Sequence, residues 1–126
     1  MVSPSILAVT VDEGAVLAKA VARVCEIWEL GNADLGRIVG VSPPTVSRLR
    51  AGRWTFARES KPFELAQFLV RIFRSLDAIV GSDDVAARRW LRGEQTDLGH
   101  RPIDKMQTVR GLIEVADLLD AYRARV

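Results

Sequence analysis

Apolar residues recur at steps of three and four along most of this chain, which is the spacing of an amphipathic helix. A first helix is predicted from Asp12 to near Gly31, with apolar positions at Val16, Leu17, Ala20, Val21, Val24 and Trp28. A long helix is predicted from Pro62 to Val80, where apolar residues cover more than one face. No stretch alternates apolar and polar residues over a useful strand length. The pattern therefore predicts an all-α fold.

Between these two helices, glycine, serine and proline separate two short apolar segments. Asn32 is predicted to cap a short helix, and Gly40 to take the positive φ of the tight turn that follows it. Ser42 is predicted to cap the next helix. Because backbone N–H groups lack helical acceptors in a first turn, proline is well tolerated there. Pro43 and Pro44 are therefore expected to begin this helix rather than break it.

Two short helices joined by a glycine turn, with arginine on the second, are typical of the DNA-binding helix-turn-helix. Gly36 is predicted at the close approach of the two helices. Arg48 is the predicted base-reading residue, because its planar fork matches both guanine acceptors in the major groove. The full set predicted to contact DNA is Asn32, Ser42, Pro43, Pro44, Thr45, Ser47, Arg48, Arg50, Arg53 and Arg58. Most of these are phosphate contacts, and the alternative is an ordinary helical hairpin with a solvated basic face.

The charge distribution agrees with this placement, although the net charge is only +2. Segment 32–61 has six basic and two acidic residues, whereas 1–31 has two basic and four acidic ones, and 62–126 has ten of each. A polyanionic partner is therefore expected to meet the segment that contains the two short helices.

The second half contains shorter helical patterns. Gly81 and Ser82 are predicted to end the long helix and cap the next, and a last helix is predicted to begin at Thr108. The expected architecture is a helix-turn-helix bundle at 12–61. It is followed at 62–126 by the long connecting helix and a small helical domain for a second capability, such as dimerisation or binding another protein.

Nothing in the sequence predicts catalysis, a metal or a cofactor. His100 is the only histidine and lies in a polar loop, and no glycine-rich phosphate loop is present. Cys25 is the only cysteine and lies among apolar positions, so we expect a buried thiol in a reducing compartment. Without an export signal or a spanning apolar stretch, the expected location is cytoplasmic.

An ordered set of residues in the second half resembles a known family. The set is Ala87, Trp90, Leu91, Leu98, Gly99, Arg101, Pro102, Ile103, Asp104, Met106, Thr108, Gly111, Val115, Leu118 and Leu119. This set resembles the toxin-binding C-terminal domain of the Xre/MbcA/ParS antitoxin family. Together with the Xre-like helix-turn-helix before it, the resemblance covers nearly all of the chain after Val11. The resemblance implies a homodimeric or larger antitoxin of a bacterial type II toxin–antitoxin pair. Such an antitoxin neutralises a RES-domain toxin that consumes NAD, and it represses its own operon by binding operator DNA.

The resemblance also implies that the end of the chain reaches into the active-site cleft of the toxin. The residues expected to face the toxin are Arg101, Tyr122, Arg123, Arg125 and Val126. Family members commonly end in a Tyr-Gly pair, whereas Ala124 and Arg125 stand at the matching positions here. The alternative for these last residues is a frayed, solvated terminus.

Two other functions remain open at the level of sequence. The chain could be a stand-alone regulator that uses its second half only for self-association. It could also be a protein-interaction module that no longer contacts DNA, an interpretation that the paired prolines favour.

Overall fold

The computed structural model describes residues 12–125, so Val126 lies outside the described part of the chain. Within this range the chain forms seven helices and no strands, apart from an isolated bridge between Gln95 and His100. The helices are α1 (Glu13–Trp28), α2 (Asn32–Val39), α3 (Pro43–Arg50), α4 (Lys61–Ile79), α5 (Asp84–Arg92), α6 (Pro102–Lys105) and α7 (Val109–Ala124). The prediction of an all-α fold is confirmed. No helix between residues 12 and 125 combines the length and apolar character needed to cross a membrane.

Most of the helices begin at a polar side chain that accepts a hydrogen bond from a backbone N–H three residues later. These N-caps are Asp12 for α1, Ser42 for α3, Ser60 for α4, Asp83 for α5 and Thr108 for α7. Each cap satisfies a donor that has no acceptor inside its helix and contributes about 1 kcal/mol. The caps fix where each helix starts.

Two predicted caps are wrong by one residue. The N-cap of α2 is Gly31, which makes no side-chain cap bond, and Asn32 is the first helical residue. Ser82 has a φ of 61° and donates from Oγ to Asp77 Oδ2 at 3.0 Å, so it belongs to the turn after α4. The carboxylate of Asp83 caps α5 instead, accepting from Ala86 N at 3.0 Å.

The first helix is shorter than the hydrophobic pattern predicts. It ends at Trp28 because Glu29 takes the left-handed conformation, with a φ of 56°. In that conformation the N–H of Glu29 bonds to Glu26 O at 3.3 Å, and the N–H of Leu30 bonds to Cys25 O at 3.0 Å. This pattern of backward bonds ends a helix and turns the chain into the next one.

One hydrophobic core extends through both halves of the chain, and α4 is its central element. This helix packs against α7 on one side and against α1 and α2 on another. Ala66, Leu69 and Ile72 of α4 are completely buried, and burial of a large aliphatic side chain contributes about 1.5–3 kcal/mol. The division at residues 61 and 62 stays a prediction, because both predicted parts contribute to this core.

A polar contact fixes α7 against α4 at the edge of the core. Arg71 Nε donates to Asp120 Oδ2 at 3.0 Å, and Ser75 Oγ donates to Oδ1 of the same carboxylate at 3.2 Å. The bond from the Arg71 guanidinium holds the pKa of Asp120 below its ordinary value. Both charged side chains are partly exposed, so the net contribution of the pair is about 1 kcal/mol or less.

The start of α7 approaches α6 so closely that only glycine fits at one position. A Cβ placed on Gly111 would lie 1.8 Å from the backbone oxygen of Lys105 and 2.7 Å from its carbonyl carbon. Backbone atoms cannot swing aside as a flexible side chain can. The approach of the two helices therefore depends on Gly111.

We expect Gly111→Ala to lower the free energy of unfolding by more than about 2 kcal/mol, because α6 and α7 would have to separate. Gly31→Ala is the matched control, since nothing lies within 4 Å of a Cβ at that position. Its cost should stay within about 1 kcal/mol, the effect of changing an uncharged cap residue. Urea unfolding of the two variants measures the difference, and equal midpoints would contradict the prediction.

Candidate functional site

The turn between α2 and α3 is closed by two glycines. Gly40 has a φ of 77°, as predicted, and its N–H donates to Gly36 O at 2.8 Å. A Cβ on Gly36 would lie 2.6 Å from the backbone oxygen of Val41. The close approach at Gly36 is thus to the backbone of the turn rather than to the opposite helix. The result is a tight turn that fixes the angle between the two helices.

The N-terminus of α3 has the predicted cap, and it leaves few backbone donors available. Pro43 and Pro44 occupy the first helical positions and have no N–H. Ser42 accepts from Thr45 N through Oγ at 3.3 Å, and from Val46 N through its carbonyl oxygen at 3.0 Å. An anion at this end of α3 would therefore be bound by side chains, because the backbone donors of the first turn are already satisfied.

The outer face of α3 is polar and exposed. Val46 and Leu49 are buried, whereas Ser47 and Arg48 are exposed, as are the two prolines at the start of the helix. Arg48 Nη2 donates to Thr45 Oγ1 at 3.0 Å, which holds the guanidinium along the N-terminal half of the helix. In helix-turn-helix proteins this half of the second helix faces the base edges.

Three of the other predicted contact residues, Asn32, Arg50 and Arg58, have side-chain partners within the chain. Arg50 Nη1 donates to Leu30 O at 3.0 Å and to Asn32 Oδ1 at 3.2 Å, so Arg50 and Asn32 join α3 to the link between α1 and α2. Arg58 forms an ion pair of 2.9 Å with Glu13 at the start of α1. Arg53 is exposed just beyond the end of α3. The structure thus brings Ser42 to Arg48 together on one helix and places Arg58 beside another.

The predicted toxin-facing residues in the second half are also engaged with neighbouring side chains. Arg101 donates to both oxygens of Asp104, at 2.7 and 2.9 Å, and these bonds hold the pKa of Asp104 below its ordinary value. The hydroxyl of Tyr122 donates to Asp97, and this bond raises the pKa of Tyr122. The Tyr122 contact links the end of α7 to the loop before α6.

The last residues of α7 are less constrained. Arg123 is exposed, and its Nη1 lies 3.5 Å from Ser75 Oγ on α4, the limit of a hydrogen bond. Arg125 is exposed at the end of the helix, and Val126 lies outside the described residues. Arg125 is therefore the last predicted tail residue within the described part of the chain, and it is exposed.

Sequence reasoning missed a polar contact between the two halves. Arg37 Nε of α2 donates to Gln107 Oε1 at 2.6 Å, and Gln107 Nε2 donates to Asp34 Oδ1 at 3.2 Å. Arg37 also pairs with Asp34 at 2.7 Å. The Asp34–Arg37 pair has the three-residue spacing of helix neighbours and was visible in the sequence. The contact with Gln107 spans 70 residues, so no local pattern indicates it.

A second missed contact caps the end of α1. Arg88 Nη1 donates to Ile27 O at 2.7 Å, and Arg92 Nη2 donates to Trp28 O at 2.8 Å and to Glu29 O at 3.0 Å. The last carbonyl groups of a helix always need outside donors, so a cap of this kind was to be expected. The sequence does not say which residues supply it.

Neither a metal centre nor a reactive thiol is found in the described part of the chain. Residues 12–125 contain no group of three or more His, Cys, Asp or Glu side chains arranged to hold a metal ion. Cys25 is buried as predicted, and burial raises its pKa to about 11, so the thiol stays protonated at neutral pH.

Two family models match the chain, one to each half. Residues 7–71 match the model described as the antitoxin Xre-like helix-turn-helix domain. Residues 75–125 match the model described as the antitoxin Xre/MbcA/ParS C-terminal toxin-binding domain. Comparison with curated proteins gives no match. The two matched regions meet within α4, the helix that packs against both halves.

The different surroundings of Arg48 and Arg50 predict different effects on stability. Arg50→Ala should lower the free energy of unfolding by about 1–2 kcal/mol, because the carbonyl of Leu30 and the amide of Asn32 lose a charged donor. Arg48→Ala is the matched control on the same helix. It should change the free energy by about 0.5 kcal/mol or less, as expected for an exposed side chain. Thermal and urea unfolding measure both, and a larger effect at Arg48 would contradict this assignment.

Proposed function

Because the chain belongs to the antitoxins with an Xre-like helix-turn-helix domain, we propose that it binds operator DNA through α3 and neutralises a RES-type, NAD-consuming toxin through its second half. The observation that carries the DNA-binding part is the arrangement at α3. A capped helix, fixed by a glycine turn, exposes Arg48 beside its N-terminal half. In this proposal the protein represses its own operon and acts by binding, without a catalytic step.

The proposed DNA contact follows from the shape and chemistry of α3. A single helix fits the major groove, and a guanidinium can donate to N7 and O6 of one guanine. Thr45 holds the Arg48 side chain in place before DNA arrives, which lowers the entropy lost on binding. Pro43 and Pro44 have no N–H donor, so their role is restricted to apolar contact with thymine methyl groups or to shape.

Phosphate contacts would come from the rim of this surface. Ser47 and Arg53 are exposed and can reach the backbone of a duplex on either side of the groove. Asn32 and Arg50 bind each other, so they contribute by fixing α3 and through the donors that remain. Arg58 is paired with Glu13 and would have to exchange that partner for a phosphate. We therefore place Arg58 at the edge of the proposed interface.

Repression by a single helix-turn-helix is weak, and most such proteins read two half-sites with two copies. We therefore propose a homodimer in the cytoplasm as the operator-binding form. The half-sites would then lie one turn of the duplex apart, or a multiple of it.

The match of residues 75–125 to a toxin-binding domain supports the second proposed activity. The bond between Tyr122 and Asp97 fixes the last turns of α7, and Arg125 stays exposed beyond them. In the proposed complex the tail from Arg123 to Val126 reaches into the toxin's cleft, while Tyr122 and Arg101 border it. Ala124 and Arg125 stand at the positions where many family members have Tyr-Gly, so the side chains at these positions would meet the cleft in a different way.

Replacing the base-reading arginine tests the DNA-binding proposal. Arg48→Ala should weaken specific binding to the chain's own promoter by about 1–3 kcal/mol, because one bidentate guanine contact is lost. Arg74→Ala removes an equal charge from the exposed surface of α4 and should leave the affinity unchanged within about twofold. Fluorescence anisotropy at several salt concentrations measures both. Equal affinities for Arg48→Ala and the unmodified protein would remove Arg48 from this role, and an absence of salt-dependent binding would refute DNA binding altogether.

Removing the tail tests its role in neutralisation. A chain that ends after Tyr122 should keep its unfolding midpoint within a few degrees, since the deleted residues are exposed or lie at the chain end. It should nevertheless lose rescue of growth when it is co-expressed with the toxin encoded beside it. Full rescue by the shortened chain would refute insertion of the tail. Failure of the unmodified chain to copurify with that toxin would favour the stand-alone regulator.

A further inference from the structure

Few large apolar side chains in the described part of the chain are exposed. They are Val16, Val85, Val109 and Ile113, at 56, 53, 54 and 37% exposure. Single exposed aliphatic residues are normal, and Val16 and Val85 lie on different helices. Val109 and Ile113 differ because they lie four residues apart on α7, on the same side of the helix. Together they form an apolar patch at the surface.

This patch continues along α7 toward the end of the chain. Residues at four-residue steps from Val109 are Ile113, Asp117 and Ala121, and all of them are exposed. The charge of Asp117 is partly compensated by Arg71, 3.7 Å away. The exposed surface of α7 is therefore apolar at its start, and exposed positions continue at each turn from there toward the end of the helix.

The opposite face of α7 is buried inside the protein. Leu112, Val115 and Leu119 are buried in the common core, where α7 packs against α4. The outer face has no equivalent covering element within residues 12–125. The patch is therefore open to contact with another molecule.

The charges beside the patch indicate what it would contact. The bond from Lys105, at 2.9 Å, lowers the pKa of Glu114, and the charge of Arg110 on the same turn adds to this effect. Arg110 is exposed and forms no ion pair or side-chain hydrogen bond in the described part of the chain. An apolar centre with arginine at its edge is the composition of protein–protein interfaces rather than of nucleic-acid contacts.

We infer that Val109 and Ile113 form the apolar centre of the toxin-binding surface, with Arg110 at its edge opposite an acidic group of the toxin. The inference rests on the proposed function, because it takes the toxin as the partner. Two observations favour the toxin over a second copy of the chain. The patch lies within the region that matches a toxin-binding domain, and exposed positions continue from it along α7 toward the predicted toxin-facing tail.

The test compares charge substitutions at two valines of equal exposure. Val109 is the first residue of α7 and Val85 the second residue of α5, so each lies in the first turn of its helix. An added carboxylate is favourable at both positions, because a helix N-terminus attracts negative charge. Val109→Asp and Val85→Asp should therefore fold equally well. Ile113→Asp supplies a second change within the patch.

The probe is the purified toxin protein encoded beside the antitoxin, titrated by calorimetry. We expect Val109→Asp and Ile113→Asp each to weaken binding at least about tenfold, as for central interface residues, and Val85→Asp to change it less than about twofold. Unchanged affinity for both patch variants, or an equal loss for Val85→Asp, would overturn the inference while the proposed function stands. Failure of the unmodified protein to bind would remove both.

Light scattering distinguishes the toxin from a second copy as the occupant. The patch variants should have the same molar mass in solution as the unmodified protein. A lower molar mass together with unchanged toxin affinity would assign the patch to the contact between copies, and this result would also overturn the inference.

Discussion

The packing of the helices in this protein depends on which groups donate hydrogen bonds to the carbonyl oxygens at the end of α1. A helix leaves its last carbonyl groups without partners, and Trp28 at this end is almost completely buried, so water cannot serve them all. Two arginines of α5 supply missing donors, Arg88 to Ile27 O and Arg92 to Trp28 O. Arg50, at the end of α3, donates to the carbonyl of Leu30 in the link that follows α1. A hydrogen bond from a charged donor contributes about 1.5–3 kcal/mol, more than most surface contacts. One atom is left over, since Arg92 Nη1 is buried without a partner among the described residues.

These bonds make the helix-turn-helix part of a larger unit. Arg50 ties α3 to the link between α1 and α2, while Arg88 and Arg92 tie α5 to the same end of α1. Gln107, just before α7, binds both members of the Asp34–Arg37 pair on α2. The orientation of α3 is consequently fixed by residues from both halves of the chain. A separate DNA-binding module would lose the donors that Arg88 and Arg92 supply to the end of α1.

Much of the fold was predictable because local physical chemistry sets it. The apolar period located the helices, and Ser42, Gly40 and the paired prolines gave the correct start of α3. The predicted N-caps Asn32 and Ser82 were wrong by one residue. At the start of each of these two helices, two adjacent residues can act as the N-cap, and tertiary contacts decide between them. The bonds made by Gln107, Arg88 and Arg92 were unpredictable, since they join residues more than 60 positions apart.

The role of Arg50 was within reach of the sequence. Successive helical residues are about 100° apart, so Arg48 and Arg50 point to nearly opposite sides of α3. Arg50 also follows the buried Val46 by four residues, which places it at the inner edge of the helix. The prediction that both arginines contact DNA did not use this geometry, and it stays a prediction. Helical phase alone places Arg48 on the outer side of α3 and Arg50 at its inner edge.

The two proposed binding surfaces differ in physical character, and this difference bears on how one small chain could serve two partners. The outer face of α3 is polar, and its attraction to phosphates would depend on counterion release and fall steeply with salt. The outer face of α7 begins with aliphatic side chains, whose contribution depends on apolar area and is nearly insensitive to salt. The paired side chains of Arg101 and Tyr122 would first have to be desolvated, so they contribute more to orientation than to affinity. Binding energy for a protein partner would then come mainly from the apolar face of α7. A change in ionic strength would therefore change the affinity for DNA and leave the affinity for the protein partner nearly unchanged.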